Sequence, residues 1–354
     1  MAGDDRAYTR VAVVGTGGYA GLFLRALLQS GHFGVVRAVT RAAEAGDRAK
    51  RERLAALRRQ GAEVVEYDEA AGAPALQRAF AGIDVVVSGI GMGAAAAQIP
   101  MIDGAVLAGV GWFIPAEFGV PPYASVWLPF PGPLEARAAV EEHLRRHAQP
   151  RGLAHTIVYT GLALDYIDPR SIGLRLADRS ATLVGRGGTP VSFTATADVV
   201  RLLVGVLRRP AEMRNRTVRF VGSTACMRDL VKIVTSGDRG ENVRMVSVGE
   251  AKTRFRELAQ RQDLQALQVY ARLLLEEGLG QVNRCGEPLD NALFPEIRPE
   301  PVRQTLERLI RAADSDRLAR ASAPAVHRSD TGSSVTAGLG HVHRADAAPL
   351  SDTD

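Results

Sequence analysis

Lysine is nearly missing from this chain: Lys50, Lys232 and Lys252 stand against 41 arginines. The bias reads as one of genome composition rather than of phosphate binding. It has a chemical consequence all the same, because a guanidinium stays protonated at any accessible pH and cannot trade protons as an amine can. Cysteine is scarce too. Cys226 and Cys285 lack a Cys-x-x-Cys spacing, which excludes a disulfide framework and fits a reducing compartment. Aromatic residues make up only 5%, so small aliphatic side chains must do most of the packing. Neither sign of charge dominates: a net charge of +5 over 354 residues is too small to demand a polyanionic partner, and nucleic acid is not indicated. The opening MAGDDRAYTR is polar and too short for a signal peptide, so a cytoplasmic location is expected. Residues 85–102 carry no charge over a length that raises the question of a membrane span. They include Gly89, Gly91, Gly93 and Pro100 between Asp84 and Asp103, and read instead as a buried strand, a glycine turn and a helix start, with no membrane partner.

What is present is a 46% hydrophobic, 23% charged chain long enough for about two domains. Short β-branched runs at 11–14, 35–40, 63–67, 84–87 and 112–115 alternate with helical patterns at 19–29, 42–60 and 74–80. Such alternation predicts parallel strands joined by right-handed crossovers, an α/β doubly wound sheet. Pro121, Pro122, Pro129, Pro131 and Pro133 make 119–133 a proline-rich loop before a helix at 134–148 and a strand at 153–159. Further strands are expected at 217–221 and 243–248, with mostly helix at 252–278. The expected division is a nucleotide-binding domain at 1–158, a smaller α/β domain at 159–312 whose chain can return to the first, and a disordered tail at 313–354, where large apolar residues run out.

The chemistry begins at Gly15-Thr16-Gly17-Gly18-Tyr19-Ala20-Gly21, directly after the first strand and opening the first helix. Glycine permits the tight turn and lets a diphosphate approach the helix N-terminus, where free N–H groups and the positive dipole end favour an anion. The spacing is Gly-x-x-Gly-x-x-Gly, that of the short-chain or extended Rossmann variant. The second strand ends in Thr40-Arg41, with Lys50 nine residues on, rather than in the acid that meets a ribose 2′-hydroxyl. A guanidinium there suits a 2′-phosphate, so NADPH/NADP is expected over NADH.

With these features the chain resembles the NmrA-like and isoflavone reductase-like group of atypical short-chain dehydrogenases, especially fungal members. The likeness also rests on Gly82-Ile83-Asp84-Val85-Val86-Val87-Ser88, Phe113-Ile114-Pro115-Ala116-Glu117-Phe118-Gly119, Tyr159-Thr160-Gly161 with Asp165-Tyr166, and Pro190-Val191-Ser192-Phe193-Thr194 leading to Asp198. It implies a Rossmann-type cofactor domain, a smaller substrate domain and a cleft roofed by the loop after Phe118. By position, Gly15, Thr16, Gly17, Gly18, Tyr19, Ala20 and Gly21 would hold the pyrophosphate and Arg41 and Lys50 the 2′-phosphate. Ser88, Gly89, Glu117 and Phe118 would border the adenosine and nicotinamide sides.

One departure stands out. The family's reductases carry a lysine near the start of the helix after the proline loop, and Arg137 occupies that position here. Arginine can bind an oxygen electrostatically but is no ordinary general base. Arg137, Tyr123 and Tyr166 are the catalytic candidates, with Tyr159 and His155 as further proton donors by position. His143 and His147 lie one helical turn apart without an evident third ligand, so a solvated helix face and no metal are expected. The resulting expectation is a reductase acting with NADPH on a small aromatic or polyketide-like secondary metabolite, as monomer or homodimer. The alternative is a non-catalytic, NADP-sensing regulator that binds a protein partner.

Overall fold

Four consecutive residues of the first strand are buried, Val11 and Val13 in one core and Ala12 and Val14 in another. A strand buried on both faces must lie inside a sheet covered by helices on both sides. In a computed structural model, which describes residues 8–44, 46–122, 133–147, 152–235, 242–263 and 265–322, the chain supplies those layers in turn. The order is β1 (Arg10–Val14), α1 (Gly18–Ser30), β2 (Val35–Arg41), α2 (Arg48–Arg59), β3 (Glu63–Tyr67), α3 (Gly72–Ala79), β4 (Val85–Ser88), α4 (Gln98–Leu107), β5 (Trp112–Ile114), α5 (Pro133–His147) and β6 (Ala154–Tyr159). Leu76 of α3, Met101 and Ile102 of α4, and Val140 and Leu144 of α5 pack on the Ala12 face. Phe23, Leu24 and Leu27 of α1 cover the Val11 face.

Beyond β6 the chain forms β7 (Leu174–Arg175), β8 (Ser180–Val184) and β9 (Pro190–Phe193), then rejoins the main body through α6 (Thr196–Leu207), α7 (Pro210–Met213) and β10 (Arg216–Arg219). Val199, Leu202, Leu203 and Val206 of α6 complete the core over α1. β10 pairs with β6, so the sheet has seven parallel strands in the order β3-β2-β1-β4-β5-β6-β10. Strand order reverses between β1 and β4, the switch point beside which such sheets bind ligands at their carboxyl ends.

The smaller lobe contains β11 (Ser223–Cys226), α8 (Met227–Val234), β12 (Val243–Val246), α9 (Val248–Gln260), α10 (Gln265–Glu276) and α11 (Val302–Ser322). β12, β8 and β7 make one small sheet and β11 with β9 another. The residues at 252–278 thus divide into two helices, and the helix expected from 42 begins only at Arg48, where Asp47 caps it by accepting from the Lys50 amide. The tail expected from 313 also needs correction, since α11 runs on to Ser322. Val302, Leu306 and Ile310 bury one face of that helix at four-residue spacing, and Asp314 pairs with Arg179 at 2.6 Å a turn later. An ion pair between positions so far apart leaves no trace in local composition. Among the described residues no helix is long and apolar enough to cross a membrane.

Candidate functional site

At the carboxyl end of β1 the backbone takes two left-handed steps, Gly15 at φ +103° and Gly18 at φ +51°, which only glycine adopts without strain. Gly17 caps α1, which has neither a capping side chain nor an acidic residue in its first turn. A Cβ on Gly17 would meet nothing within 4 Å, whereas one on Gly89, after β4, would stand 2.5 Å from Ala20 Cβ. The loop therefore packs tightly below and is open at Gly17, the shape an anion needs to reach the helix amides. Tyr166 roofs one side. Its ring lies 4.1 Å from that of Tyr19, and its hydroxyl sits over Gly18. Asp165 holds this segment by accepting from the Thr196 amide at 3.0 Å and hydroxyl at 2.8 Å, at the start of α6. Tyr19, Phe23 and Phe118 continue the aromatic packing, and burial pushes the Tyr19 phenol above its ordinary range.

Arg41 and Lys50 come together at the end of β2. The Lys50 ammonium donates to the Arg41 carbonyl at 2.7 Å, while the exposed Arg41 side chain pairs with Glu69 at 3.0 Å. Two cations thus stand beside the glycine loop, one braced against the backbone and the other against a carboxylate that an incoming phosphate would have to displace.

A third set of polar groups lines the carboxyl ends of β4, β5 and β6. Ser88 Oγ, Gln98 Nε2, Glu117 Oε1 and Thr160 Oγ1 are buried, and none has a hydrogen-bond partner among the described residues. Buried polar groups are ordinarily satisfied, so several orphans at one sheet edge mark where a polar ligand would complete them. Gln98, at the start of α4, accepts from the Ala116 amide at 2.8 Å and so fixes the turn that carries Glu117. The Glu117 carboxylate accepts from Arg137 Nε and Nη2, and Arg137 Nη2 also donates to the Val120 carbonyl at 2.8 Å. One turn further along α5, Glu141 accepts from the Tyr159 hydroxyl and pairs with Arg145 at 3.1 Å. Burial pushes the Glu117 carboxyl up to about 7; the Arg137 charge opposes the rise and the Glu141 charge adds to it. Burial beside Glu141 likewise holds the Tyr159 phenol above its usual range.

Of the catalytic candidates, Arg137 is buried with its guanidinium engaged by Glu117 and Val120. Tyr166 lies at the glycine loop, and Tyr123 falls outside the described residues. Tyr159 is committed to Glu141, while His155 is the second residue of β6, at the strand's amino end, with burial lowering its pKa. Sequence reading singles out neither Gln98 nor Glu141, and it quotes Thr160 only within the Tyr159-Thr160-Gly161 segment, without a role. Gln98 interrupts an otherwise apolar stretch, a signal that was available; the other two acquire meaning only from contacts across the fold. The family segments do converge: Leu162 N donates to the Ser192 carbonyl, Thr160 N and Gly161 N share the Gly119 carbonyl, and Thr194 Oγ1 donates to the Thr160 carbonyl.

Strand order, switch point and glycine loop together define a Rossmann-type, doubly wound nucleotide-binding fold. The chain belongs to the NmrA-like family, whose model matches residues 8–298. It is 35% identical to Oxidoreductase aprR of Aspergillus flavus over 156 residues, which is 43% of this chain and 52% of that protein. With Oxidoreductase poxI of Penicillium oxalicum it shares 29% over 160 residues, 44% of this chain and 51% of the relative. The chain thus spans about half the length of the curated relatives it matches. Among solved structures, AtPrR2 with NADP+ and (+)pinoresinol superposes with a TM-score of 0.69 at 21% identity, covering 85% of this chain and 98% of that one. Isoflavone reductase gives 0.68 at 16% identity, covering 86% and 100%. At such identities the likeness is one of fold, and it extends through the smaller lobe.

Proposed function

We propose that the chain is an NADPH-dependent oxidoreductase that reduces a small organic molecule, of aromatic or polyketide-like character, by hydride transfer. The observation that carries this reading is the open glycine cradle at the switch point with Arg41 and Lys50 beside it. Gly15 to Gly21 would hold the diphosphate, Arg41 and Lys50 the 2′-phosphate, and Ser88, Gly89 and Phe118 the flanks of the cofactor. The oxidoreductase names of the fungal relatives and the NADP+ in the AtPrR2 complex support the same direction. NADPH, when bound, supplies the hydride; the protein's own part is to bind both partners, exclude water and handle the proton.

Arg137 cannot handle that proton, and Glu117 can. Its carboxyl is buried at the end of β5, with one oxygen on Arg137 and the other unpartnered among the described residues. Near neutral pH its raised pKa keeps a substantial protonated fraction, as a general acid requires. Arg137 then serves as the electrostatic partner that keeps Glu117 ionisable. The same saturation of Arg137 also favours a second reading, in which the chain binds NADPH as a sensor without turnover.

Calorimetric titration with NADPH and NADH, followed by turnover assays on aromatic ketones, enones and benzylic ethers, tests both readings. Preferential NADPH binding with hydride transfer supports the enzyme. Binding without consumption across the panel supports the sensor, and no binding of either coenzyme removes both. Arg41→Ala should weaken NADPH by about 1.5–3 kcal/mol, the size of a hydrogen bond to a charged group, and leave NADH nearly unchanged; equal losses would contradict the phosphate assignment.

A further inference from the structure

His143 and His147 lack a third ligand in the sequence around them, and the fold provides one. Because β4-α4-β5-α5 winds in one sense, α4 and α5 lie side by side on the same face of the sheet, and Asp103 of α4 stands opposite the two histidines. Asp103 Oδ1 is 2.7 Å from His143 Nε2 and 3.6 Å from His147 Nε2. The three donor atoms all lie within 4.8 Å of one another. We propose that Asp103, His143 and His147 form a binding site for a borderline divalent transition-metal ion such as Zn2+, pinning α5 to α4.

Neighbouring corners of a four-coordinate zinc site lie about 3.3 Å apart, given metal–ligand bonds of about 2.0–2.2 Å. The observed separations bracket that value, so small side-chain rotations suffice. Two imidazoles converge on a single carboxylate oxygen, yet only His143 is close enough for a hydrogen bond. The His147 imidazole stands at ion-pair distance from that oxygen, edge-on to the His143 ring at 4.8 Å, so both rings already face the point a shared cation would occupy. Backbone placement is firm, because Ile102 and Ala105 flank Asp103, Leu144 follows His143, and all three are buried in one core. Ligands on rigid, packed elements are preorganised for a metal. The nearby cations do not compete for Asp103, since Arg145 pairs with Glu141 and Glu142, and Arg146 with Glu142.

Two imidazoles with one carboxylate favour Zn2+, Co2+, Ni2+ or Cu2+ over Mg2+ and Ca2+, which prefer all-oxygen shells. Three protein ligands leave a position for water. The site's consequence lies in the helix it holds, since Arg137 is six residues before His143 on α5 and reaches Glu117 from there.

The test uses the full chain stripped with EDTA and titrated with ZnCl2, beside MgCl2 and CaCl2. Saturable Zn2+ binding, a raised melting temperature and the visible absorption of four-coordinate Co2+ are expected, with no response to Mg2+ or Ca2+. The histidines at 327, 341 and 343 can also bind zinc, so variants decide. His147→Gln removes a ring with no direct hydrogen bond to Asp103, and it should lower Zn2+ affinity at least about tenfold, a loss that even outer-layer partners of metal ligands produce. Asp103→Asn should do the same, and His32→Gln should not. Zn2+ heats and Co2+ spectra unchanged in His147→Gln and Asp103→Asn, or equal binding of Mg2+, would overturn the site. None of these readouts depends on coenzyme or turnover, so the proposal stands or falls apart from the oxidoreductase reading.

Discussion

The two sides of the cleft are built by different means. At the glycine edge the backbone does the work: positive φ at Gly15 and Gly18, a helix start without a capping side chain and the close approach of Gly89 to Ala20. At the Glu117 corner side chains do it, through the buried Glu117–Arg137 pair and, a turn along α5, through Glu141, buried between the Tyr159 hydroxyl and the exposed Arg145. The first side tolerates no added atom at Gly89, where the backbone is already in contact; the second tolerates no missing partner. Substitutions should therefore fail in opposite ways at the two places.

The sharpest contrast comes from Arg137→Ala, which leaves the buried Glu117 carboxylate without its cation. Removing one member of a buried pair costs about 3–5 kcal/mol, and urea unfolding should show a loss of that order. The sign of the pH dependence follows from the raised Glu117 pKa. A carboxyl that binds its proton more tightly in the folded state contributes stability that falls as pH rises from the unfolded carboxylate range to about 7. Without Arg137 to oppose burial, the folded pKa climbs further, so the deficit of the variant should be larger at pH 8 than at pH 6. A loss below about 1 kcal/mol, the scale of exposed pairs, would mean that the corner is solvated and the comparison false.

On the other side, Gly89→Ala places a methyl group against Ala20 Cα at 2.7 Å and Cβ at 2.5 Å. Backbone must shift, at an overpacking cost of about 1–3 kcal/mol, and coenzyme binding should fall with it. Gly17→Ala is the counterpart: its Cβ meets only open space and φ is −106°, so stability should change by less than about 0.5 kcal/mol. NADPH affinity should nevertheless drop, because the methyl fills the space where the diphosphate would lie. Full affinity in Gly17→Ala would remove the diphosphate from this loop.

These differences explain what could be read from the sequence. The glycine loop is local, as strand, turn and helix follow within a dozen residues, and its spacing announces the geometry. The strand–helix alternation likewise predicts parallel strands in a doubly wound sheet, because each strand and helix is a local pattern, while their spatial order comes from the fold. β10 was recognised as strand but not as a seventh member of that sheet, since it joins β6 only after the chain has built β7 to β9 elsewhere. The charge corner is legible only in pieces: Glu117 lies in a segment that carries the family likeness, but nothing local joins it to Arg137. Arg137 could be flagged as standing in a lysine's position, but its engagement by Glu117 requires a fold that brings positions 117 and 137 together.

If Glu117 supplies the proton, kcat/KM for reduction should be flat below about pH 7 and fall about tenfold per pH unit above it, as the carboxylic acid ionises. Glu117→Gln should lower the rate and lose that limb while still binding NADPH. A falling limb retained in Glu117→Gln would transfer the role to another group, with Tyr166 next to be tested. Below pH 7 the same variant separates chemistry from folding, since a neutral side chain then replaces a largely neutral one.

The smallest effect probes the glycine edge once more, through the carboxylate that pairs with Arg41. Arg41 and Glu69 pair at 3.0 Å, with side chains 66% and 55% exposed. Before Arg41 can grip a 2′-phosphate, this pair must open, and the Glu69 charge then repels the phosphate from close range. Glu69→Gln removes both obstacles. Exposed pairs contribute about 0.2–1 kcal/mol, so NADPH affinity should rise by at most about fivefold, with no change in NADH affinity and little in stability. The gain should shrink as salt is added, because the Debye length falls from about 10 Å at 0.1 M to about 3 Å at 1 M. A loss of NADPH affinity in Glu69→Gln would show instead that Glu69 holds Arg41 in its binding position, and that this side too depends on a partnered charge.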